Sequence, residues 1–162
     1  MSILWAFEWL QNTGVSTAIR ESTLVFPLIE GTHVLAIAVS VGVIILLDLR
    51  LLGWGMRRTP VSDIFEKLRP LALFGFTIMF ATGVLLFVSE PIRCVTATPF
   101  LLKTGLLALA GINAFIFDRK VYPSVAGWNT TGTIPGRAVF AGAASLVLWL
   151  GVIACGRWTA YL

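Results

Sequence analysis

The sequence predicts an all-α protein of one domain, residues 1–162: a four-helix bundle embedded in a membrane. Of its 162 residues, 57% are hydrophobic and only 12% are charged, whereas soluble domains carry about a quarter charged residues. The mean hydropathy is +0.90. Four apolar runs, Leu24 to Leu47, Leu71 to Val88, Phe100 to Phe117 and Ala138 to Ala154, each suit a bilayer core, which takes roughly 17–25 helical residues to cross.

The N-terminal stretch MSILWAFEWLQNTG has no Lys or Arg ahead of its apolar residues, so the basic start of a secretory signal is missing and no cleaved peptide is expected. Ile3, Leu4, Phe7 and Leu10 recur at helical spacing beside Trp5, Glu8, Trp9 and Gln11, which suits a short interfacial helix over about residues 3–20 lying in the headgroup layer. Helix one is expected over 24–52, entering through Pro27 and ended by Gly53 and Gly55. The link that follows contains Ser62 ahead of Phe65 and Glu66, the start of a short amphipathic helix running up to Pro70. Helix two is expected over 71–89, stopped by Pro91, helix three over 100–118 and helix four over 137–156. Arg119 to Gly136, rich in Gly, Pro and Thr, reads as one long irregular loop. Trp158 and Tyr161 suit anchoring at the interface beyond helix four.

Net charge is +4 at pH 7 with a pI near 9.6, but in such a chain the distribution of basic residues matters more than their sum, and no nucleic-acid partner is implied. Eight of the twelve Lys and Arg residues fall in the connections between helices one and two and between three and four. The positive-inside rule then puts both termini on the outer, periplasmic side. Cys94 and Cys155 lie near that same side. They read either as a disulfide or as two thiols packed as small apolar groups. Asn129-Thr130-Thr131 matches a glycosylation sequon on the other side of the membrane and is discounted there.

The polar residues inside the apolar runs carry the functional reading. Eighteen residues separate Glu30 from Asp48, five turns at 3.6 per turn, so both acids share a face about 27 Å long. The stripe Glu30, His33, Ile37, Ser40, Ile44 and Asp48 is expected to look into the bundle, because an ionisable group facing lipid costs several kcal/mol. At the depth of Glu30 and His33 come Ser89 and Glu90 from helix two, Lys103 from helix three and Arg157 from helix four. Glu30, His33, Glu90, Lys103 and Arg157 therefore form a candidate binding cluster near the outer face. Glu30-x-x-His33 sets a carboxylate and an imidazole one turn apart, a spacing that offers two metal ligands from one helix. At the other end Asp48, Arg50, Arg69, Asp118, Arg119 and Arg137 read as a structural ring in which acids pair with arginines.

The runs PLIEGTHVLAIAVSVGVIILLDLRLLG, RPLALFGFTIMFATGVLLFVSEP, PFLLKTGLLALAGIN and SLVLWLGVIACGRWTAY together resemble a family of small bacterial four-helix membrane proteins catalogued as a domain of unknown function. The resemblance covers nearly the whole chain. It implies the fold and a multi-pass location in the bacterial inner membrane, and it marks His33, Asp48, Arg50, Thr82, Gly83, Lys103, Asn113, Gly156, Arg157 and Tyr161 as motif positions. The resemblance implies a second histidine near the end of helix three in many relatives, where this chain reads Phe117-Asp118. A haem bridged by two histidines of one chain is thus not implied.

No Ser-His-Asp set, clustered Cys and His, or paired carboxylates with a free base appears, so no enzymatic activity is assigned. The expectation is a membrane protein that binds a small ligand or redox cofactor around His33: a haem of the b type, a transition metal held by His33 and Glu30, or a quinone. The other readings are a non-catalytic accessory or assembly subunit of a larger membrane complex, and a proton- or ion-conducting module along the Glu30 to Asp48 stripe. The lipid bilayer is the expected partner; a homo-oligomer or a larger membrane complex is compatible with all three.

Overall fold

The computed structural model describes residues 4–129, 133–159 and 161. Ile3 of the expected interfacial helix and Thr130 and Thr131 of the sequon lie outside the described residues. The described α-helices are α1 (Leu4–Gln11), α2 (Gly14–Glu21), α3 (Val25–Leu51), α4 (Val61–Ser89), α5 (Pro91–Thr96), α6 (Thr98–Ile116) and α7 (Gly136–Thr159). Four segments, Val25–Leu51, Val61–Ser89, Thr98–Gly127 and Gly136–Thr159, are long and apolar enough to cross a membrane. Their outward faces carry Leu35, Phe74, Phe80, Phe140 and Val147 largely exposed, the pattern of a bundle whose solvent is lipid.

The expected interfacial helix is broken in two. The Thr13 side chain donates to the Leu10 carbonyl at 2.8 Å and accepts from the Ser16 amide at 3.3 Å, so it closes α1 and caps α2 in one step. The second half does not merely lie on the surface, because its Ser16 and Ile19 are buried, whereas α1 buries no residue. The Ser16 hydroxyl and the Arg20 guanidinium both donate to the Ser89 carbonyl, each at 3.2 Å, and Phe7 meets Phe87 edge-on at 6.0 Å.

Pro70 does not divide the second segment as expected; α4 runs straight through it. Proline removes the amide that would serve the Glu66 carbonyl, but Glu66 and Pro70 are both exposed, where other donors can reach that carbonyl. The sequence before Pro70 is held down by Val61, Ile64 and Phe65, all buried in the core at that end of the bundle. The expected irregular loop is also shorter than read: a π turn, Phe117–Val121, and a 3-10 helix, Tyr122–Gly127, prolong α6, and Phe117, Val121 and Trp128 are buried against α3, α4 and α7 residues. The extra helix α5 turns the chain between α4 and α6, with Pro91 in its first turn.

The four long helices run antiparallel in sequence. α3 packs along α4 and α7, and α7 along α6. The α4 and α6 segments meet through stacked rings near both ends, Phe65 on Phe117 at 5.5 Å and Phe87 on Phe100 at 5.8 Å. The α3–α4 seam is close: a Cβ built on Gly75 would stand 3.1 Å from both the Cβ and the backbone nitrogen of Ser40. Backbone cannot retreat as a side-chain tip can. Gly75→Val is therefore expected to destabilise the bundle by about 1–3 kcal/mol in a denaturing-detergent titration. Gly111→Ala, where a Cβ meets nothing within 4 Å, should be neutral or stabilising by up to about 1 kcal/mol through helix propensity.

Candidate functional site

Twenty-odd ångströms of apolar helix separate the two polar ends of the bundle, roughly 1.5 Å per residue, and His33 sits at the end that carries Ser89 and Lys103. It projects from α3 onto α4. A Cβ on Gly83 would come within 3.2 Å of the imidazole Cε1, so the ring fits there because residue 83 has no side chain. The residue just before it, Thr82, takes the ring nitrogen: Nδ1 and the Thr82 hydroxyl are 2.9 Å apart.

The direction of that hydrogen bond follows from the rest of the Thr82 contacts. Its hydroxyl lies 2.7 Å from the Ile78 carbonyl and 3.1 Å from that of Met79. A hydroxyl has one proton, and carbonyls only accept. A proton given to either of these carbonyls leaves Thr82 to accept from His33, in which case Nδ1 carries the hydrogen. Nε2 then keeps its lone pair, and the ring's other hydrogen-bond contact is with the Met79 backbone. An imidazole oriented through Nδ1–H with a bare Nε2 is the arrangement that ligating histidines adopt.

Lys103, from the start of α6, lies near enough to act electrostatically on His33. Its ammonium also sits over the Phe100 ring, 5.0 Å from the centroid. The remaining members of the sequence-derived cluster are not gathered around the ring. Glu30 is exposed and in no ion pair among the described residues, so the expectation that it turns inward fails: the bundle seam that buries Ser40 and Asp48 no longer covers the helix at Glu30. Glu90 pairs with Arg93 on α5 at 2.8 Å. Arg157 is exposed and lies over the Tyr161 ring at 5.0 Å. Among the described residues no three His, Cys, Asp or Glu side chains come together as metal ligands. The metal pair His33 and Glu30 therefore lacks the further ligands an ion needs.

Cys94 and Cys155 are separate thiols. Burial pushes the Cys94 thiol above its ordinary range; nearby Lys103 and Arg93 pull it back and Glu90 adds to the rise. At the opposite end, the expected acid–arginine ring reduces to one pair, Arg69 with Asp118. Asp48 is 6% exposed, faces Ser145 of α7, and leaves its Oδ2 without a hydrogen bond. Asn113 instead donates its amide to the Ala141 carbonyl at 3.0 Å, tying α6 to α7.

Four helices long and apolar enough to span a membrane, with one imidazole set between α3 and α4, define the class of small α-helical membrane proteins. The chain belongs to the family of unknown function DUF6644, whose profile matches residues 7–162. No curated protein and no solved structure matches it. Sequence reasoning found His33 and Lys103, but Thr82 and Gly83 entered only as motif positions, since nothing in a spacing of 49 residues signals a hydrogen bond.

The chain has one histidine, so nitrogen NMR of imidazole-labelled protein reads this site alone. The Nδ1–H tautomer is expected as the dominant species, shifting to a mixture in Thr82→Val. A dominant Nε2–H form in the unaltered protein would contradict the assigned direction.

Proposed function

We propose that this protein binds one redox ring ligand of the bilayer, a haem or a quinol, through Nε2 of His33. The observation that carries the reading is the His33–Thr82 hydrogen bond, which commits Nδ1 as the donor and leaves Nε2 as the acceptor. A bare imidazole nitrogen can ligate haem iron or accept a hydrogen bond from a quinol hydroxyl. Lys103 supplies a cation beside it for a propionate or for the oxygen of a reduced ring. A ligand that asks for one imidazole fits this donor set better than a bare metal ion does. The distribution of basic residues supports a bacterial inner membrane with both termini outside.

A second reading, an accessory subunit of a larger membrane complex, is favoured by Glu30, whose exposed carboxylate is in no ion pair among the described residues. A neighbouring subunit would supply the counter-charge.

Detergent-purified protein is expected to show a Soret band or to retain extractable quinone. His33→Ala should abolish either, and Thr82→Val should weaken retention by about 10–100-fold, as losses behind a ligating histidine do. Colourless, quinone-free protein that takes up neither haemin nor a quinol analogue on titration would dismiss the ligand-binding reading. A stoichiometric co-purifying subunit lost in Glu30→Gln would then leave the accessory one.

A further inference from the structure

The end of the bundle opposite His33 holds a feature that the proposed ligand site does not use. A cavity of about 420 Å³ lies where the chain between α3 and α4 folds over the end of α3, and Arg50, Arg57, Arg58, Thr59, Trp128 and Asn129 are among the residues that line it. None of the described lining residues is Asp or Glu. Three guanidinium groups thus share one opening with no carboxylate to balance them.

The chain is shaped to bring them there. Gly53 and Gly55 adopt φ of +77° and +91°, and Met56 adopts +45°, a left-handed backbone that a residue with a side chain takes only at a cost. The turn returns Arg57 toward α3, where its Nε donates to the Gly53 carbonyl at 2.6 Å. Arg50 is 6% exposed, and its Nε and Nη2 donate to the Thr59 carbonyl at 3.3 and 3.0 Å. These bonds orient the two side chains but bring no negative charge. Arg57 is close enough to Arg50 to repel it, and buried charge without a counter-ion is costly. Asn129 fixes the far wall, exchanging hydrogen bonds with the amide and hydroxyl of Ser62 at 2.9 and 2.8 Å.

We propose that this cavity is a phosphate site, filled by the headgroup of an acidic lipid or by free phosphate. Guanidinium forks present paired donors that match tetrahedral oxyanions. Arg50 occupies the last turn of the apolar segment Val25–Leu51, the depth at which lipid phosphates lie. An anion there relieves the repulsion between Arg50 and Arg57 and supplies the charge that the Thr59 carbonyl does not.

The test uses full-length protein stripped of lipid in a non-ionic detergent. Phosphatidylglycerol and phosphatidylcholine are titrated with native mass spectrometry as the readout, and inorganic phosphate by calorimetry. Saturable binding of phosphatidylglycerol or of phosphate is expected, weakened about tenfold or more in Arg57→Gln/Arg58→Gln. The exposed pair Arg119→Gln/Lys120→Gln, outside the cavity lining, should leave it within about twofold. Circular dichroism and thermal melting establish that both variants fold. Tight binding of phosphatidylglycerol without phosphate binding assigns the lipid source, and phosphate binding at comparable strength assigns the free anion. Loss of equal size in the Arg119 and Lys120 variant, equal retention of phosphatidylcholine, or no saturable binding of either anion overturns the proposal.

Discussion

The closeness of α3 to α4 is the constraint on which the polar architecture rests. Where Gly75 faces Ser40 the two backbones approach so closely that a single methyl group would stand 3.1 Å from the Ser40 backbone nitrogen, tighter than an ordinary contact. In a bilayer, apolar side chains gain little by leaving lipid for protein, so helices associate through such intimate contact. The same seam, further along, lets Gly83 receive the imidazole and lets Thr82 reach its nitrogen. A wider spacing would strand the histidine against hydrocarbon, and the orientation of its ring would no longer be defined.

The two ends of the bundle treat charge differently. At the His33 end, Glu90 and Arg93 satisfy each other within one turn and Lys103 lies over an aromatic ring, so the charge left near the imidazole is that of one ammonium. At the other end, Arg69 and Asp118 pair across α4 and the turn after α6, an exposed contact of the kind that contributes little on its own. Asp48 turns to a hydroxyl instead of a guanidinium, and Arg50 turns away to a backbone carbonyl. Two residues apart on one helix, the acid and the base face different neighbours, which is why proximity in sequence did not make them a pair.

Much of the fold was legible because hydropathy over some twenty residues reports directly on what surrounds a helix. The spans are found at Val25–Leu51 and Gly136–Thr159 within a few residues of expectation. Pro70 was misread because the rule against interior proline presumes that the orphaned carbonyl is buried, and here it is not. The turns after Ile116 were hidden behind glycine, proline and threonine, which mark a departure from α geometry without saying whether the chain then uncoils or tightens. For the site, a lone histidine in an apolar run is conspicuous. Helical periodicity carries no information on where a neighbouring helix stops covering a face, and Glu30 is exposed where Asp48 is buried. The partnership with Thr82 and the gathering of Arg50, Arg57 and Arg58 are products of tertiary approach, with no local signature.

The double hydrogen bond onto Ser89 has a bearing on how the molecule is assembled. Ser16 and Arg20 emerge early in synthesis, but the carbonyl they grip belongs to a residue 73 and 69 positions later. Until α3 and α4 have both been threaded into the bilayer, α2 has nothing to fasten to. The negative pole at the end of α4 stays open for the same interval. Docking of the first twenty or so residues is thus a late event, a latch that closes only over a completed helical hairpin.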